Sequence, residues 1–170
     1  MRKKTMSGLS TALLGLLLTA GTLNVAVAAP NLAERRAIAA YQTGTYAGKL
    51  KEIQAAAGFD VPVEVQWDSL ALSGQEQNYA DQGFWTQIYF TPLSKALAAV
   101  SVDELGQEAL EDKLETIVVR YDEATAPGSA YENGVTFSGG VLTLNFKPYN
   151  NVDDVDARAE AIQKALEAGL

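Results

Sequence analysis

The chain has 170 residues, with 13 Lys and Arg against 21 Asp and Glu, and it contains neither cysteine nor histidine. Those two absences exclude a His-based triad, a cysteine nucleophile, a zinc site of the usual Cys/His type and a haem held by His or Cys. The net charge of −8 argues against nucleic acid and anionic membrane as partners.

The first element is a leader. Met-Arg-Lys-Lys precedes an apolar run from Leu9 to about Leu23, which ends at Ala26-Val27-Ala28. A positive start, an apolar middle and an A-x-A site make a secretory signal peptide. The run is broken by Ser10, Thr11, Gly15, Thr19 and Gly21 and is short for the ~20 residues of a spanning helix. Cleavage after Ala28 is therefore expected, with residues 29–170 as a single α+β domain. Loss of Arg2, Lys3 and Lys4 leaves ten bases against the 21 acids, a net charge of −11. The expected location is periplasmic or extracellular, with no stable membrane anchor after cleavage. Disulfides are not used, although an oxidising compartment would allow them.

Asn31 and Glu34 form a capping box that opens a helix over residues 32–57, ended by Gly58. Ile38, Tyr41, Leu50 and Ile53 make its thin apolar stripe. Gly44 leaves two readings open, one bent helix or two short ones, because an interior glycine costs about 1 kcal/mol against alanine. Val61, Val63, Val65 and Trp67 alternate with Pro62, Glu64, Gln66 and Asp68, as in a strand with one dry face. Residues 69–83 read as loop.

Residues 84–90 are aromatic and β-branched, as a strand would be. Trp85, Tyr89, Leu93, Ala96, Leu97 and Val100 also sit at helical spacing. Thr91-Pro92 looks like a helix start, so the reading is a strand over 84–90 and a short helix over 92–99. Ser101-Val102-Asp103-Glu104 reads as a second capping box, opening a helix to about Lys113 with Leu105, Ala109 and Leu110 inward.

Ile117, Val119 and Tyr121 alternate as a strand. Beyond a polar loop, Gly139-Gly140 can form the two-residue turn of a hairpin. That turn pairs Phe137 with Leu142, Val135 with Leu144 and Thr136 with Thr143, placing every apolar partner on one face. A last helix is expected from Val152 to about Ala168, with Asn151 as its cap and Val155, Ala159, Ile162 and Leu166 as its stripe. The fold expected is α+β: a single antiparallel sheet of four to five strands, with the N- and C-terminal helices packed on one face.

Few residues suggest chemistry. Asn150, Asn151, Asp153, Asp154 and Asp156 are dense in oxygen but lack the spacing of a calcium loop, and acids at a helix start explain them. Trp67, Asp68 and Trp85 could line a saccharide or peptide site, or be core aromatics beside a turn. The hairpin face carrying Thr136, Ser138, Val141, Thr143 and Asn145 is polar yet uncharged, with Arg120 and Gln66 expected alongside. Such a face is unusual on so acidic a chain. The sequence therefore reads as an exported binding or inhibitor-like protein of the bacterial envelope, with an unidentified protein or saccharide partner and no cofactor or metal. The alternative is a hydrolase using two carboxylates on an envelope saccharide or peptide.

Overall fold

A computed structural model describes residues 30–80 and 83–170. The expected signal peptide, residues 1–28, lies outside the described residues.

The capping box forms as read. Asn31 Oδ1 accepts from the Ala33 and Glu34 amides at 2.8 and 3.0 Å, and the Glu34 carboxylate accepts from the Asn31 amide at 2.6 Å. Helix α1, Leu32–Tyr41, runs through a π-helical turn, Gln42–Tyr46, into α2, Ala47–Ala57. The backbone stays right-handed helical at Tyr41, Gln42, Tyr46 and Ala47, so the reading of one helix holds over that of two. Gly44 sits in the π turn, and Gly58 ends α2 at φ +88°. The π turn has a geometric purpose. At ~100° per residue, Ile53 would lie about 120° round from Tyr41 in a regular helix. One extra residue in a π turn takes up ~100° of that, so both side chains reach the core.

Strand β1 is Val63–Val65. It is shorter than read, because Trp67 and Asp68, expected in the strand, open a short helix α3, Trp67–Leu70; a second, α4, Glu76–Ala80, lies where a plain loop was expected. Leu70 and Tyr79 are buried there, which explains why the segment is ordered into turns. Residues 84–90 are helical, which corrects the strand reading. Their second part is a π turn, Thr86–Phe90, continuous with α5, Thr91–Val100. Helical spacing won because the run is buried on more than one side: Trp85, Ile88, Tyr89, Phe90, Leu93 and Leu97 are all fully inaccessible, while Gln87 is exposed. Pro92 therefore lies inside a helix. Its ring would crowd the carbonyl four residues back, and the π turn immediately before it opens the helix at that point.

Helix α6 is Glu104–Lys113. Its cap is Asp103, whose Oδ1 accepts from the Gly106 amide at 2.8 Å, and not Ser101. Ser101 Oγ instead donates to the Ala56 carbonyl at 2.7 Å. Leu105 is consequently exposed, against expectation, while Gly106 faces α5 so closely that a Cβ would meet the Val100 carbonyl oxygen at 1.9 Å.

Strands β2, Thr116–Arg120, β3, Val135–Ser138, and β4, Val141–Asn145, complete a four-stranded sheet in the order β1-β2-β4-β3. The hairpin forms in the register read from the sequence, with Gly139 and Gly140 at φ +56° and +78°. The sheet as a whole is mixed, which corrects the all-antiparallel expectation. β1 and β2 are parallel, and so are β2 and β4. A parallel neighbour has the same period-two alternation, so burial pattern alone could not separate the two arrangements. Asn145 ties the chain leaving β2 to the end of β4. Its amide accepts from the Asp122 backbone N–H and donates to Thr125 Oγ1, both at 2.9 Å, just where Arg120 pairs with Asn145.

Helix α7, Val155–Gly169, packs on β3 and α5, with Ala159, Ile162 and Leu166 buried as expected. Its cap position is Asp154, three residues later than read. Asn151 takes φ +46° and offers its carbonyl to Arg158 Nη1 at 2.8 Å. The N-terminal helices pack chiefly on α4 and α5, so α1 and α2 do not pair with α7 as the sheet's cover. Ile117, Val119, Leu142, Leu144 and Phe146 join the helices in one continuous apolar core.

Candidate functional site

One face of the sheet supplies that core, and the other is open among the described residues. Alternation decides which side chains lie on it. Outward positions are Glu64 on β1, Thr116, Val118 and Arg120 on β2, Val141 and Thr143 on β4, and Thr136 and Ser138 on β3. Glu64, Thr136 and Ser138 are exposed and the others half-exposed. The register sets them in rows: Glu64, Val118, Thr143 and Thr136 cross the sheet in one line, and Thr116, Val141 and Ser138 in the next. At ~4.8 Å between strands the platform is about 14 Å wide.

Its centre is built of β-branched side chains without charge. The charges lie at its margins, Glu64 on the edge strand and Arg120 at the end of β2, the latter 4.0 Å from Asp122. Such a platform can pack against another surface through methyl groups while threonine and serine hydroxyls take hydrogen bonds. It offers no nucleophile activated by a neighbouring base.

Thr136 and Thr143 thus stand where the sequence put them, paired across the hairpin. Asn145 shares their parity but is buried by the 122–126 loop that it anchors, so it leaves the candidate surface. Thr116, Val118 and Glu64 were missed. Their outward parity follows from the buried Ile117 and Val119 and from the β1 register.

The other sequence candidates belong elsewhere. Trp85 is fully buried and donates its indole N–H to the Leu70 carbonyl at 3.2 Å, so it is core and not surface. Trp67 is half-buried against Tyr41, Tyr46 and Trp85, with ring centroids 5.8, 5.0 and 5.5 Å away. Asp68, next to it, is exposed on α3. Tyr79 stacks on Trp85 at 4.4 Å, and burial pushes its hydroxyl up to about 12. Burial drives the hydroxyl of Tyr89 well above its usual range, and raises that of Tyr41 despite the bond to Thr86. These groups are neutral packing elements at ordinary pH.

Two surface hollows flank this core. One, of about 720 Å³, is lined by Phe84, Gln87, Val152, Asp153 and Val155. The other, of about 400 Å³, is lined by Lys51, Gln54, Ala55, Gly58, Phe59 and Asp60. Each has one carboxylate among its described lining residues. No group of three or more acids placed to hold a metal occurs among the described residues. Comparison with known proteins finds no matching family model, no matching curated protein and no matching solved structure.

Proposed function

We propose that this is a non-enzymatic binding protein of the bacterial envelope, periplasmic or secreted, that works through the open face of its sheet. The observation that carries this reading is the platform around Thr143, which is uncharged at its centre and open among the described residues of a strongly acidic chain. A solvated surface normally mixes acids and bases, and a surface kept free of them suits desolvation against a partner. Neither hollow is lined by a platform residue, which favours a protein over a saccharide, because sugar and other small-ligand sites are concave. The leader supports export, and the 21 acids support a soluble form.

The test compares immobilised wild-type protein with Thr136→Glu, an exposed position paired with Thr143 in the same row. An exposed substitution shifts stability by within ~0.5 kcal/mol, so the variant should melt normally. It should lose a partner that wild type captures from envelope extract. Protease treatment of the extract should abolish capture if the partner is protein and spare it if the partner is saccharide. Equal capture by the variant, or its unfolding, would refute the role of the face.

A further inference from the structure

A second surface stands out, unconnected to the argument from the sheet. Val102 and Leu105 are 79% and 76% exposed, the highest values among the large apolar side chains described. Val102 precedes the Asp103 cap and Leu105 lies in the first turn of α6, where it was expected to face inward. Isolated exposed apolar residues are ordinary, but two so close in sequence, one on either side of a helix cap, are not. The corner is rigid on three counts. Ser101 Oγ is tied to the Ala56 carbonyl, Asp103 caps the helix, and Gly106 lies against the α5 backbone.

The surroundings specify the chemistry of what would cover it. Residues 103–115 carry six acids against one base, Lys113, and the Lys113 ammonium is bonded to the Leu170 carbonyl at 2.7 Å. Leu105, Glu108 and Asp112 follow at spacings of three and four, so they form one ridge, with Glu104 beside it. Glu104, Glu108 and Asp112 are exposed and hold no ion pair among the described residues. A neutral apolar partner would bury those carboxylates unpaired, whereas a cationic one neutralises them as it covers the leucine and valine.

We propose that this corner docks a cationic amphipathic helix of a partner protein. Val102 and Leu105 enter its apolar stripe, and Glu104, Glu108 and Asp112 meet its lysines or arginines. This is the helix-on-apolar-anchor mode of recognition, with complementary charge at the rim.

The probe is a capped peptide of leucines and lysines patterned at helical spacing, set against a scrambled peptide of the same composition. Fluorescence anisotropy should show the patterned peptide binding the full protein at least about tenfold tighter than the scrambled one, a difference of ~1.4 kcal/mol. The double variant Val102→Ser, Leu105→Ser keeps every charge and should lose at least about tenfold in affinity for the patterned peptide. The triple variant Glu104→Gln, Glu108→Gln, Asp112→Asn should bind more weakly and with less salt dependence. Circular dichroism confirms that each variant is folded, and Leu105→Ser alone replaces the double variant if that one is not. Equal binding of the two peptides, or unchanged binding by a folded serine variant, would mean only general attraction to an acidic protein and would overturn the proposal.

Discussion

The Tyr41 hydroxyl lies 2.6 Å from the Thr86 hydroxyl, and this one bond joins two π turns. Tyr41 immediately precedes the first, Gln42–Tyr46, and Thr86 opens the second, Thr86–Phe90. The Tyr46 ring then meets the Phe90 ring at 5.1 Å, so the widened turns pack side by side. Each π turn amounts to one extra residue, and the first is a removable one. Deleting Gly44 should restore a regular helix, leave Ile38, Tyr41 and Ile53 on one face, and cost less than ~1 kcal/mol. Deleting Glu160 from α7, whose turns are regular, should swing Ile162 and Leu166 ~100° from the core and unfold the protein. Urea titrations of the two deletions decide; equal damage would show that the first π turn is not an insertion of this kind.

Arg158 should be the costliest single polar residue to remove. It is 1% exposed, and its guanidinium donates to the Asn150 and Asn151 carbonyls at 2.7 and 2.8 Å. It also lies 4.4 Å over the Tyr131 ring and 5.7 Å from the Phe146 ring. Arg158→Ala leaves the Asn150 carbonyl without its donor and the Asn151 carbonyl with only the Asp154 amide at 3.0 Å, and it opens a cavity, so it should cost at least ~3 kcal/mol. Arg158→Lys keeps the charge but not the planar fork, and should recover less than half of that loss. Chemical denaturation of the two variants measures both; full recovery by lysine would mean that charge alone matters here.

The hairpin turn should depend on its two glycines. Both have positive φ, and a Cβ at Gly140 would come within 2.7 Å of the Glu115 side chain. Replacing both with Val should cost about 2 kcal/mol or more, because a β-branched residue at positive φ is strongly disfavoured. Replacing Gly139-Gly140 with Asn-Gly, which tolerates the same turn, should leave the melting midpoint nearly unchanged.

Alkali should unfold the protein through its tyrosines. Tyr79 is raised to about 12 by burial, so the folded state holds its hydroxyl neutral where the unfolded chain, near 10, would ionise it. A raised pKa contributes stability that is complete below the unfolded value and is lost as pH climbs through the folded value. The loss should therefore fall between pH 10 and about 12 for Tyr79. Tyr41 and Tyr89 are shifted the same way and add to it. Absorbance at 295 nm should show these three of the seven tyrosines ionising only together with the loss of near-ultraviolet dichroism. Full tyrosinate formation with the dichroism intact would contradict their burial.

What the sequence revealed was local. The Asn31–Glu34 cap, the Gly58 stop and the Gly139-Gly140 turn are each decided within a few residues, and each is where it was read. The errors lie where distant residues choose. Residues 84–90 suit a strand by composition, but burial on more than one side demands a helix. Asn151 has the chemistry of a cap, yet its backbone is turned left-handed so that two carbonyls reach Arg158 seven and eight residues on. The direction of β2 is set by pairing with strands distant in the chain, and alternation is the same in parallel and antiparallel neighbours. For the candidate surface, Thr136 and Thr143 were legible from hairpin parity, whereas Trp85 and Asn145 look alike in sequence whether they face solvent or bond to polar groups of the fold.

The strand order also sets a timetable for assembly. The β3–β4 hairpin closes through a two-residue loop and can form within microseconds. Its β4 edge is then the template for β2, some twenty residues upstream, and β2 in turn is the template for β1, about fifty residues earlier still. Loop-closure cost rises with that separation, so β1 should be the last strand to join although it is the first to be made. A ribosome that has released β1 has released a strand with nothing to pair with. The chain must emerge as far as Asn145 before the sheet can be completed.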